Sequence, residues 1–229
     1  MEFQCYVKLG IWLIFAGFAG IANAGLVSWT DWTIDTAGTS GAAHGSIIQN
    51  SSSVGVTYSG DVGWLSPASY WSEAAPAPYT GNSVVDNAPT SGISVSRASS
   101  NNTLTFASAL IDPVFALYSV GQRNVPVTYS FDQAFTLLSE GYGNWGDGSF
   151  STSGNQLTGN EGHGLIQFSG AVSSISFDIL DPENHHGFTV GALTSLEPTQ
   201  RVTEAATLAL MGLGILGITL VRLRSSQAD

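Results

Sequence analysis

Val125-Pro126-Val127-Thr128-Tyr129-Ser130-Phe131 and Ser174-Ile175-Ser176-Phe177-Asp178-Ile179 each alternate apolar and small or polar residues. Successive side chains of a strand point to opposite faces, so each stretch predicts one apolar and one polar sheet face. Thr103-Leu104-Thr105-Phe106 repeats the pattern, and Val54, Val56 and Tyr58 share its spacing. Clusters of Gly, Asn, Ser and Asp at 99–102 and 141–148 separate such runs and supply turns, by tolerating positive φ or by bonding their own backbone. Between residues 25 and 200 no long stretch has a 3.6-residue period. Many short strands with one apolar face predict an all-β fold, a two-sheet antiparallel sandwich of jelly-roll type. Pro126 cannot donate to a ladder, so an edge or a bulge is expected there.

Outward from these strands the composition changes. The chain has 229 residues and a formal net charge of −11. Residues 25–198 hold fourteen acidic side chains and two basic ones, Arg97 and Arg123, which puts the middle near −12. Such a surface repels nucleic-acid phosphates and anionic lipid headgroups, and its natural small partners are cations. The only cysteine is Cys5, so a domain over residues 25–192 has to be held by packing and strand pairing alone.

Both ends are hydrophobic. Residues 1–24 read as a signal peptide taken by the secretion translocon: Lys8, an apolar run over 9–20, and the cleavage site Ala22-Asn23-Ala24, which predicts a mature start at Gly25. Residues 193–204 read as a polar tether. Residues 205–221 are an uncharged apolar run, at ~1.5 Å per residue about 25 Å of helix, enough to cross the inner membrane at the short limit. Arg222 and Arg224 in the 222–229 tail favour a cytoplasmic C-terminus and an outer domain. Gly212-Leu213-Gly214-Ile215-Leu216-Gly217 has dinucleotide-loop spacing, but no strand-turn-helix context surrounds it, and glycine is common in membrane helices.

The tail from Val202-Thr203-Glu204-Ala205-Ala206 through the Gly/Leu-rich run to Arg222-Leu223-Arg224 resembles the PEP-CTERM sorting signal. Glu204 stands where that signal has its glutamate, and Thr203 and Ala205 stand where it has prolines. The resemblance implies export in a Gram-negative bacterium that makes exopolysaccharide, recognition by an exosortase-type membrane protease, and a surface or matrix destination. Residues 125–132, 161–168 and 182–191 also look like ectodomains carried by such proteins. The expected function is that of a non-enzymatic structural or interaction protein of the cell surface or biofilm matrix. The alternative is a carbohydrate-binding module, and a glycan-active enzyme stands third.

Three residue groups bear on these readings. Trp64, Tyr70, Trp71 and Tyr79 lie in a proline-marked excursion over 60–92; with Trp145 they are candidates to stack on sugar rings. The opposing expectation is that they plug the ends of the sandwich. Asp181, Glu183, His185 and His186 fall within six residues and carry metal-ligand chemistry, but neighbouring histidines on a strand face opposite ways, so a polar turn is the plainer expectation. Asn144, Asp147, Asn155, Asn160 and Glu161 offer oxygens for a structural calcium, against the expectation of a solvated loop. No Gly-x-Ser-x-Gly elbow or similar nucleophile motif is present, so no catalytic residue is assigned.

Overall fold

The computed structural model describes residues 24–195. It is all-β and antiparallel. In chain order the first strands are β1 (Val27–Trp29), β2 (Thr33–Thr36), β3 (Gly38–Gln49), β4 (Ser52–Val62) and β5 (Trp64–Ser66). After a 3₁₀ turn (Ala68–Trp71) come β6 (Glu73–Ala74), β7 (Gly92–Val95), β8 (Ser99–Ile111), β9 (Val114–Val120), β10 (Val127–Phe131) and β11 (Thr136–Glu140). The last are β12 (Tyr142–Gly143), β13 (Ser149–Ser153), β14 (Gln156–Asn160), β15 (Gly162–Gln167), β16 (Ala171–Ile179) and β17 (His186–Leu193). One sheet has eight strands in the order β13-β14-β10-β16-β8-β4-β3-β2; the other has seven, β11-β15-β9-β17-β7-β5 with β1 beside β17.

The alternation read from the sequence sets the inner face of the eight-stranded sheet. Val127, Tyr129 and Phe131 of β10, Ile175, Phe177 and Ile179 of β16, and Leu104 and Phe106 of β8 are buried. Ser174 and Thr105 pair with each other and carry the outer face. Val125 departs from the expected pattern. It is exposed and lies before β10, in a tight turn closed by mutual backbone bonds with Gln122 at 2.8 Å. Pro126 thus precedes the ladder instead of interrupting it.

The seven-stranded sheet breaks the one-face rule. β9 is buried along its whole length. Its Phe115, Leu117 and Val120 join the core between the sheets, where Phe115 stacks on Phe188 at 5.1 Å. Val114, Ala116 and Tyr118 point the other way, into a second core with Trp71, Tyr79, Val85 and Leu165. The proline-marked excursion is therefore a third layer that covers the outer face of this sheet.

Local bonds hold that layer. Glu73 accepts from the Tyr79 and Thr80 N–H groups at 2.9 and 3.1 Å and from Thr80 Oγ1 at 2.6 Å. Asn82 Oδ1 accepts from Val84 and Val85 N–H, both at 2.8 Å. The β6–β12 pairing ties the excursion to the chain beyond β11.

Gly25, the expected mature start, donates to Val84 O and accepts from Asp86 N–H, both at 3.0 Å. Leu193 belongs to β17 and Thr194 N–H donates to Leu26 O at 2.9 Å, so paired structure runs two residues into the expected tether. Ala22, Thr203, Glu204, Ala205 and the expected membrane helix and basic tail lie outside the described residues. Among the described residues no helix is long and apolar enough to cross a membrane.

Candidate functional site

The site begins as an irregularity in one ladder. Gly162 pairs with Val120 and Gly164 with Leu117, so Tyr118 and Ser119 of β9 together face the single residue His163 of β15. That is a β-bulge, a device that re-aims side chains. It puts Ser119 at φ 52° and leaves Glu161, just before β15, at φ 61°; both are left-handed conformations unfavourable for residues with a Cβ. Ser119 Oγ donates to Glu161 Oε1 at 2.6 Å, and Ser119 N–H donates to His163 Nδ1 at 3.3 Å. The hydroxyl is therefore directed at a carboxylate and not at the imidazole, which is not the geometry of a base-activated nucleophile. Gly121 follows at φ 74°, where an added Cβ would strike the Gly159 carbonyl, and its N–H donates to Glu183 Oε2 at 2.8 Å.

Aromatic rings cover the bulge. Tyr118 Oη shares a short hydrogen bond with Ser94 Oγ. Trp145, from the loop after β12, lies nearly parallel to Tyr118 (5.4 Å, 20°) and to His163 (6.1 Å, 6°). Tyr70 and His185 meet it at steep angles, with centroids 4.7 and 4.9 Å away. His185 also touches Tyr70 and Trp64, each at 5.8 Å. Burial pushes the His163 pKa down to about 4, so its ring is neutral at pH 7. Since Nδ1 accepts from Ser119, the proton sits on Nε2, which has no hydrogen-bond partner among the described residues.

Beside Trp145 a cleft of about 430 Å³ opens to solvent, lined by Arg123, Asn124, Trp145, Asp147, Asn160 and Glu161 among others. Arg123 and Asp147 approach to 3.5 Å and are both largely exposed. The Glu161 carboxyl is raised above its ordinary value: partial burial drives it up, the Ser119 hydrogen bond opposes that, the Glu183 charge adds to it and Arg123 opposes. The cleft thus offers one indole, two amides, two carboxylates and one guanidinium, the polar and aromatic mixture that hydroxyl-rich ligands use.

The expected residues divide. Trp64 is 41% exposed, and Tyr70 and Trp145 are half-buried. Trp71 and Tyr79 are 2% and 0% exposed, which corrects their assignment as stacking faces. They turn inward because the outer face of β9 needs cover: Trp71 meets Tyr118 edge-on at 4.8 Å and Tyr79 at 5.5 Å, and its Nε1 donates to Ser66 Oγ at 3.2 Å.

The metal candidates go to separate partners. Asp147 faces Arg123, Asp181 Oδ2 accepts from Thr128 N–H at 3.1 Å, and Glu183 Oε2 meets buried His186 Nδ1 at 3.0 Å. His185 faces the aromatic layer, so the two histidines do point apart. Among the described residues no three His, Asp or Glu side chains converge on a metal position. Of the calcium candidates, Asp147, Asn160 and Glu161 line the cleft, whereas Asn155 lies in the β13–β14 turn and Asn144 accepts from Ser72 Oγ at 3.3 Å.

Sequence reasoning missed Tyr118 and Ser119 as parts of the site. The uninterrupted apolar run Val114-Phe115-Ala116-Leu117-Tyr118, with no polar face, was the available signal. No protein-family model, curated protein or solved structure matches the chain.

Proposed function

We propose that the chain is a non-enzymatic interaction protein of the cell surface or exopolysaccharide matrix, and that its outer domain meets polysaccharide at the Trp145 cleft. The observation that carries the saccharide contact is the cleft itself. Trp145 forms one wall, backed by Tyr118 and His163, while Asn124, Asn160, Asp147 and Glu161 present hydrogen-bonding groups around it. A flat indole packs against the C–H face of a pyranose, and amides and carboxylates take its hydroxyls.

Export and sorting rest on the two ends: the signal-peptide pattern before Gly25 and the PEP-CTERM-like tail at Thr203, Glu204 and Ala205. The partners are the secretion translocon, an exosortase-like protease, the inner membrane through the 205–221 helix before processing, and exopolysaccharide afterwards. Gly25 supports the cleavage reading physically, because its bonds to Val84 and Asp86 survive the loss of everything before it. The jelly-roll assignment belongs to this proposal too, supported by two antiparallel sheets around one shared core.

Intact-mass analysis of membrane and extracellular fractions tests the sorting. A secreted species running from Gly25 to near Glu204 is expected, and a chain found only in the cytoplasm would overturn it. A glycan array tests the saccharide contact, with binding expected to disappear in Trp145→Ala. An array with no bound glycan would overturn that half.

A further inference from the structure

We infer that the Trp145 cleft takes a cationic amino sugar, a polymer of glucosamine-type units carrying free ammonium groups. This rests on the saccharide reading above and adds the charge of the ligand.

Residues 25–198 contain two basic side chains. Arg97 is committed elsewhere, bonded through Nη1 at 2.8 Å to Asp61, whose side chain is fully buried. Arg123 reaches the cleft but faces Asp147 there at 3.5 Å. With that pair roughly neutral, Glu161 is the carboxylate left over, within a domain that is strongly acidic throughout. A uronic acid or sulfated sugar would meet net repulsion, since the guanidinium that lines the cleft faces Asp147. A neutral hexose would strip water from Glu161 and return a hydroxyl-to-carboxylate hydrogen bond with no opposing charge. An ammonium returns the hydrogen bond and an opposite charge together.

The carboxylate is also pre-set. Ser119 Oγ fixes Oε1 at 2.6 Å. The backbone on both sides of that bond is held left-handed, at φ 52° and 61°. A group held in place before the ligand arrives loses little conformational entropy on binding. Trp145 adds an electron-rich face, which attracts an ammonium as well as sugar C–H groups. The cleft volume of about 430 Å³ lies within the usual range for small-ligand sites.

The test is calorimetric titration of the purified full chain, kept in a non-sugar detergent, with three probes: a glucosamine hexamer, an N-acetylglucosamine hexamer and cellohexaose. The glucosamine hexamer is expected to bind at least ~10-fold tighter than the other two, and to weaken as salt rises from about 0.02 to about 0.3 M. Glu161→Gln keeps the acceptor for Ser119 and removes the charge; it is expected to lose roughly tenfold for the glucosamine hexamer alone. Trp145→Ala is expected to weaken all three probes. Thermal melts of both variants establish that they fold.

Equal or tighter binding of the N-acetylated or neutral hexamer would overturn the inference and leave the saccharide reading standing. Binding of the glucosamine hexamer that neither variant alters would place it on diffuse surface charge and overturn the inference. Failure of all three probes, with no glycan bound on the array, would remove the saccharide reading itself.

Discussion

Ser119 and Glu161 are joined by a 2.6 Å hydrogen bond across the β9–β15 bulge, and both hold positive φ, 52° and 61°. The bond and the strain oppose each other, and they can be separated by two substitutions at one position. Ser119→Ala keeps the strained backbone and deletes the donor, at a cost of about 1–2 kcal/mol. Ser119→Gly deletes the donor but relieves the left-handed strain, which offsets about 1 kcal/mol of the loss. Denaturant titration is expected to rank the wild type first, Ser119→Gly second and Ser119→Ala last. The bond also lowers the Glu161 pKa against the burial that raises it. Carboxyl-resolved NMR titration is therefore expected to find Glu161 protonating at higher pH in Ser119→Ala than in the wild type.

His163 predicts how the fold responds to acid. Burial depresses its pKa from 6.5 to about 4 in the folded state, so the unfolded chain binds this proton more readily than the native one. The stability it contributes is fully present above pH about 6.5 and is lost as pH falls toward about 4, to a depth of about 3 kcal/mol. His163→Phe preserves a flat ring under Trp145 and removes the titration. The variant is expected to be less stable at pH 7, because Ser119 N–H loses its acceptor, yet to lose less stability between pH 6.5 and 4. Denaturation midpoints of both proteins across that range check the difference, which cancels the carboxylates they share.

Trp64 and Trp71 are expected to behave oppositely although they stand seven residues apart in one excursion. Trp71→Ala removes a fully packed indole from between Tyr118 and Tyr79 and is expected to cost about 3–5 kcal/mol. Trp64 is 41% exposed and touches His185, so Trp64→Ala is expected to cost under about 1 kcal/mol. Thermal unfolding of the two variants distinguishes them.

These contrasts mark where the sequence is legible. Strands β4, β8, β10 and β16 could be read because water on one face enforces polar residues at every second position. β9 could not be read that way, since its outer neighbour is protein: Trp71, Tyr79 and Val85 replace water, and Val114, Ala116 and Tyr118 become apolar with them. The excursion was visible from its prolines and aromatics, but which aromatics turn inward depends on the sheet beneath and not on local pattern. The bulge was invisible for a different reason. It is a mismatch of one residue between β9 and β15, a property of pairing that neither strand records alone.

Glu183 and His186 carry the last prediction, which links the core to the cleft. Their side chains are 1% and 0% exposed and meet at 3.0 Å. Glu183 Oε2 also accepts the Gly121 N–H at 2.8 Å, and Gly121 opens the turn that bears Arg123 and Asn124. Removing one partner of a buried pair strands the other, so His186→Ala is expected to cost about 3–5 kcal/mol. Glu183→Gln replaces the charge with an amide that still accepts from Gly121, and is expected to cost less. Combining the two changes separates coupling from simple loss: the double variant is expected to be less destabilised than the sum of the single ones, because it leaves no stranded charge. If Glu183 anchors the turn, Glu183→Ala is also expected to weaken saccharide binding while Trp145 stays in place. Indole fluorescence and calorimetry on the same sample check both, and unchanged affinity in a folded Glu183→Ala protein would confine Glu183 to stability.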